Sequence, residues 1–158
     1  MSLNQQQEEN ETIEAFHCVL PMQMRYTDYD MNGHLNNTAY FSVFDVAKME
    51  YFKAVRNGDE EWKDVSIVAA NINVNFLAST VFEEPLAVES KCTHVGEKSL
   101  TLVQRLVNSD TREVKCVCTN ILVYYDLKTH TSTFIAPYWR HAIATFEKTQ
   151  PRTLHPAL

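Results

Sequence analysis

Six polar side chains crowd into ten consecutive residues: Asp28, Asp30, Asn32, His34, Asn36 and Asn37. Carboxylates with an imidazole are the equipment of general acid–base work and of water activation. Asp30, Asn32 and His34 stand two apart, so an extended stretch turns all three to one side. Gly33, among them, lets the backbone bend or come close to a ligand. Turn building is the competing job, because Asp, Asn and Gly are ordinary turn and cap residues. For Asp28 and Asn36 alone the two jobs are evenly matched. A turn needs one or two such residues, not six, so the set as a whole points to chemistry. The other histidines, His17, His94, His130, His141 and His155, have no comparable surroundings.

The segment after this loop supplies a second chemical element. Thr38 to Arg56 reads as a helix, with Tyr40, Val43, Phe44, Ala47 and Tyr51 on one stripe. Phe41, Phe52 and Val55 add a second apolar flank, and Asp45, Lys48 and Lys53 leave only a narrow wet face. A helix apolar nearly all round is a buried helix. Asn36 or Asn37 can cap its start, and Gly58 after Asn57 can end it in a left-handed turn. The first N–H groups of a helix lack internal partners and carry partial positive charge. A carbonyl oxygen placed there is stabilised as it becomes an oxyanion. A carboxylate and an imidazole beside it can activate water or attack directly. That is equipment for acyl transfer or hydrolysis. The loop holds no Ser or Cys, and no Gly-x-Ser-x-Gly elbow occurs, so a Ser or Cys nucleophile is disfavoured. A thioester suits such modest means, because a thiolate leaves easily (thiol pKa about 8.5). A metal site on Asp28, Asp30 and His34 is the weaker reading, since no second His lies near. No cofactor is called for.

Composition narrows the alternatives. The chain has 158 residues, 45% of them hydrophobic and 22% charged, which suits one globular domain. Its three glycines, Gly33, Gly58 and Gly96, cannot make GxGxxG or GxxxxGK[ST], so dinucleotide and P-loop chemistry is excluded. A net charge of −6 gives no bulk attraction for nucleic acid or an anionic membrane. No long apolar run and no secretory leader is visible; Gln5 to Asn10 is wholly polar. Cys18, Cys92, Cys116 and Cys118 are therefore expected to be reduced, in the cytoplasm. Cys116 and Cys118 read as small core residues on one face of a strand.

Around the helix the pattern is of strands. Residues 1–12 read as a disordered tail, 13–148 as the domain and 149–158 as a second tail. Period-two alternation predicts strands over Ile13–Tyr26, Val65–Phe76, Leu86–Val95, Ser99–Asn108 and Val114–Tyr125. Pro21 implies an edge position or a bulge. Gly96 marks a hairpin and Asn108 to Thr111 another turn. Pro137 opens a short C-terminal helix carrying Trp139, Ile143 and Phe146. Short turns make antiparallel neighbours. The expected fold is α+β: a curled antiparallel sheet of five or six strands around one long central helix, the hotdog arrangement. The open sheet edge and the uncovered helix flank predict a homodimer or homotetramer.

The run Asp30-Met31-Asn32-Gly33-His34-Leu35-Asn36-Asn37-Thr38-Ala39-Tyr40 resembles the Asp-x-Asn-x-His-Val-Asn-Asn-x-x-Tyr motif of the acyl-ACP thioesterases. It resembles more loosely that of the 4-hydroxybenzoyl-CoA thioesterase-like hotdog enzymes. Arg25, Tyr26, Asp28 and Asp30 fit the strand-end pattern of both. The resemblance implies hydrolysis of an acyl-CoA or acyl-ACP. It implies that Asp30 is the catalytic base or nucleophile and that Asn32 and His34 position or activate water and the thioester. Gly33, Asn36, Asn37 and Tyr40 would surround the substrate at the helix start. Acyl-ACP thioesterases bring a further carboxylate from the strand after the helix, and Asp64 holds a roughly similar place. Plant-type members are often two fused halves; this chain is one half, so a second copy would complete it. Hotdog hydratases or dehydratases and a non-catalytic acyl-thioester-binding module are the alternatives. Lys91, Lys98 and Arg105 are weaker candidates to meet a CoA phosphate.

Overall fold

Alternation along the chain resolves into one sheet and two helices. The computed structural model describes residues 16, 18–57, 65–148 and 152–154. Its five longer strands are β1 (Cys18–Met22), β2 (Val65–Phe76), β3 (Leu86–Val95), β4 (Ser99–Asn108) and β5 (Val114–Asp126). Two-residue strands β6 (Thr131–Ser132) and β7 (Arg152–Thr153) complete it. The spatial order is β2-β5-β4-β3-β1-β7, with β6 beside β5. Every pairing is antiparallel except that of β1 with β7. Helix α1 (Asn37–Arg56) lies against the sheet and α2 (Pro137–Glu147) closes one end. This is the hotdog arrangement.

Two segments differ from expectation. Among the described residues, the strand predicted over 13–26 spans Cys18–Met22, and Tyr26–Asp28 coils into a 3-10 turn instead. Asp28 causes this: its carboxylate accepts the Arg25 N–H at 2.7 Å and pairs with the Arg25 guanidinium at 2.9 Å. The segment read as a C-terminal tail contributes β7, whose Arg152 and Thr153 lie beside Cys18 and Val19. Pro21 lies past that short pairing, on the open part of the edge, where its missing N–H costs nothing.

Helix α1 buries Ala39, Tyr40, Val43, Phe44, Ala47, Tyr51 and Val55, a stripe at helical spacing. The first five pack on Leu20, Val88, Leu106, Cys116 and Cys118 from the sheet. Cys116 and Cys118 share the inward face as expected, and burial pushes the Cys116 thiol up to about 12. The helix is not buried all round: Phe41 of the second flank stands 45% exposed, and Val46 and Met49 stand 41% and 51% exposed. Asn57, at φ 49°, is the left-handed residue that ends the helix, and its N–H reaches Lys53 O at 3.2 Å. Gly58 lies outside the described residues. Trp139, Ile143 and Phe146 of α2 pack on Tyr51, Val55, Leu122 and Tyr124.

A polar strut crosses this core. Gln104 Nε2 donates to the mid-helix carbonyl of Phe44 at 3.0 Å and to Ser90 Oγ at 3.2 Å. Asn120 Nδ2 donates to Gln104 Oε1 at 3.0 Å. All three side chains are buried, so each bond stands in for water that cannot enter. Gln104→Ala leaves the Asn120 amide only its longer contacts, to Leu102 O at 3.4 Å and Cys118 Sγ at 3.5 Å, opens a cavity, and should lower stability by about 2–3 kcal/mol. A urea titration checks this: the midpoint falls while the slope holds.

At the far side, β2 pairs only with β5 among the described residues, leaving a twelve-residue edge. Val68, Ile72 and Phe76 on it are exposed. No helix among the described residues is long and apolar enough to cross a membrane.

Candidate active site

The polar loop does not run extended. Asp30 to Gly33 forms a turn in which Gly33 N–H donates to Asp30 O at 3.0 Å. Asp30 Oδ1 accepts the N–H of Asn32 at 2.8 Å and of His34 at 3.1 Å. Asn32 thus enters through its backbone, and the three side chains do not share one face. The turn needs Gly33 at φ +74°. A Cβ there meets nothing within 4 Å, so a substitution suffers from backbone strain alone. Gly33→Val should therefore cost about 1–2 kcal/mol of stability. The same turn fixes the Asp30 carboxylate, so an activity that uses Asp30 should fall further, by more than about thirtyfold. Melting and turnover measured side by side check this. Equal losses in free energy would make Gly33 a plain turn residue.

After the turn, His34 and Leu35 run between two partners. Asp30 N–H donates to His34 O at 2.8 Å, and Leu35 N–H donates to Thr80 O at 2.9 Å. Asn36 then caps α1, its N–H held by Asp28 O at 2.8 Å, but its side chain makes no cap hydrogen bond. The Ala39 N–H turns back to Asn36 O at 2.9 Å, so the capacity to bind an oxygen rests with the N–H groups of Asn37 and Thr38.

An open cleft of about 380 Å³ lies at this point. Asp30, His34, Asn37 and Tyr40 line it from the loop and helix side. Phe76, Leu77, Ser79 and Thr80, from the end of β2 and the loop after it, line the other. The structure therefore brings together Asp30, His34, Asn37 and Tyr40. Asn32, Gly33 and Asn36 shape the loop behind them, and Asp64 lies outside the described residues. Among the described residues, no three His, Cys, Asp or Glu side chains converge on a possible metal position. Arg105 is turned to Glu89 and only 5% exposed, so it does not offer a phosphate contact.

The second wall is what the sequence did not announce. Nothing local marks residues 76–80, because tertiary contacts set that wall. Leu77 and Ala78 N–H both donate to Lys115 O, at 2.9 and 3.1 Å. The buried Lys115 ammonium donates to Ser79 O at 3.0 Å and pairs with Glu84 at 2.7 Å and with Glu113. Burial pushes the Glu84 carboxyl up; the Lys115 ammonium, the Val81 N–H and the Asn108 amide outweigh it, so its pKa lies below the ordinary value. Its ionised form is thus favoured in the fold. That stability is full above the ordinary carboxylate pKa and fades as pH falls through the lowered one.

Comparison with known proteins decides the family. A model of the thioesterase-like superfamily matches residues 24–151. The chain belongs to this superfamily. An uncharacterised protein of Bacillus subtilis, YsmA, is 32% identical over 79 residues, 50% of this chain and 53% of its own. The chain thus spans about half the length of that curated relative. Among solved structures, a thioesterase from Thermus thermophilus, complexed with coenzyme A and Zn, superposes with a TM-score of 0.74 at 21% identity. The match covers 86% of this chain and 98% of that one. YbaW, a probable thioesterase from Escherichia coli, gives 0.72 at 23% identity, over 84% and 100% of the two chains. At these identities the structures show the fold, and the superfamily member described here shares it.

Proposed function

We propose that the protein is a thioester hydrolase, splitting an acyl-CoA or acyl-ACP into free acid and thiol. One observation carries this reading. Asp30 and the start of α1, where no cap side chain occupies the Asn37 and Thr38 N–H groups, border the same cleft. A thioester carbonyl set against that helix start has its developing oxyanion stabilised. Asp30 Oδ1 is occupied by the turn, which leaves Oδ2 to act as base toward water or as nucleophile. His34, on the same cleft, assists with water or the thiolate, and Asn37 and Tyr40 contact the substrate. Gly33, Asn32 and Asn36 hold the loop in shape. Asp64 remains a further carboxylate for the same site.

Coenzyme A as carrier is favoured by the similar fold that binds it. A homodimer is favoured by the open β2 edge and the exposed Phe41, Val46, Met49, Val68, Ile72 and Phe76. The four cysteines are buried and form no disulfide among the described residues, which suits the reducing cytoplasm. The test is free-thiol release from a panel of acyl-CoAs and matching acyl-ACPs, with sedimentation of the same sample. Release from CoA thioesters by a dimer is the expected result. No release from any member overturns the reading.

A further inference from the structure

The inner wall of the cleft is a single ring held at two points. Tyr40 lines the cleft and is only 4% exposed. Its hydroxyl donates to Thr80 Oγ1 at 2.9 Å. Its ring meets Phe76 edge-on, with centroids 5.0 Å apart. Thr80 is itself 1% exposed, and its carbonyl accepts the Leu35 N–H at 2.9 Å. A buried phenol needs an acceptor. Here the acceptor comes from the opposite wall, so the bond ties α1 to the 77–80 loop across the base of the cleft.

What stands behind the ring gives this bond a consequence. Tyr40 belongs to the core cluster that holds Leu35, Val43, Phe44, Leu106, Cys116 and Cys118, so packed core and not open space lies behind the ring. The ring therefore separates the cleft from the seam between α1 and the sheet. At about 380 Å³, the cleft is near the lower end of small-molecule sites, roughly 300–1,000 Å³. An acyl chain entering past Asp30 meets the ring of Tyr40 before it can reach the seam.

We propose that Tyr40, positioned by Thr80, is the depth stop of the acyl site and makes this chain selective for short acyl groups. The inference rests on the thioesterase reading and adds the substrate class to it. Tyr40 is the specificity-determining residue; Thr80 acts through it as a positioning residue.

The experiment compares kcat/KM over straight-chain thioesters from acetyl to palmitoyl, on whichever of CoA or ACP reacts faster. The parent should peak at short chains. In an apolar site one methylene is worth about tenfold or more. Tyr40→Ala should therefore move the peak to longer chains and raise the long-to-short ratio of kcat/KM by at least about tenfold. Thr80→Val keeps the side-chain shape but frees the phenol. It should move the same ratio in the same direction by a few-fold, and it serves where Tyr40→Ala folds poorly. A purely structural role lowers every chain length by one factor and leaves the ratio fixed. An active parent that peaks at long chains, or variants with an unmoved ratio, overturn this inference alone. A parent that releases no thiol overturns the thioesterase reading and this one with it.

Discussion

Asp30→Asn should fold as the parent does and lose about 10²–10⁴-fold in kcat for thiol release. The asparagine side-chain oxygen can still accept the N–H groups of Asn32 and His34 that Asp30 Oδ1 accepts at 2.8 and 3.1 Å. The turn therefore keeps its shape. What goes is the negative charge, and with it the group able to take a proton from water or attack a carbonyl. A neutral acceptor is weaker than a charged one, so the melting point should drop only slightly, by about 1 kcal/mol equivalent. KM should change little, because the carboxylate is asked to act on the reacting atoms and not to hold the acyl group. Asp30→Ala separates the two jobs further: it removes the acceptor as well, so stability and turnover both fall. A kcat within about tenfold of the parent in Asp30→Asn contradicts the assignment.

Glu89→Ala should be the most destabilising single change on the sheet, by about 3–5 kcal/mol. Glu89 stands opposite Arg105 in the β3–β4 register, on the face turned away from α1. Both are buried, at 2% and 5% exposure. Glu89 also accepts from Arg112, and the Phe16 ring covers the Arg105 guanidinium at 4.1 Å. Taking away the carboxylate leaves the Arg105 guanidinium buried beneath an aromatic ring and without the Glu89 charge. At about 2–4 °C per kcal/mol for a chain of this size, Tm should drop by roughly 10 °C. Calorimetry checks it, and Glu89→Gln, which keeps an acceptor, should lose less. A change under about 1 kcal/mol in Glu89→Ala would mean that water reaches Arg105.

The features legible in the sequence are those that depend on neighbours along the chain. The stripe Tyr40, Val43, Phe44, Ala47, Tyr51 places α1 within one residue of its observed start. Gly96 marks the β3–β4 hairpin, where its N–H meets Ser99 O at 2.7 Å. Asn108 likewise builds its turn by accepting the N–H groups of Asp110 and Thr111. The cluster from Asp30 to Tyr40 is legible for the same reason. Its shape is not: an extended run would turn Asp30, Asn32 and His34 to one side, whereas Asp30 folds back on Asn32 and His34, because a short carboxylate beside a glycine satisfies its own neighbours first. The 77–80 wall escaped notice because Thr80, Lys115 and Tyr40 lie far apart in the chain and meet only in the fold. The β7 pairing with β1 is hidden likewise, since two residues carry no period.

The most direct measurement runs the reaction in oxygen-18 water and follows both products from one short acyl-CoA. Free thiol and free acid should appear in equal amounts. The acid should carry one solvent oxygen, and the rate should collapse in Asp30→Asn. Thioester that stays intact, or hydrolysis that Asp30→Asn leaves untouched, contradicts the assignment of Asp30 and the α1 start as a thioester-hydrolysing site.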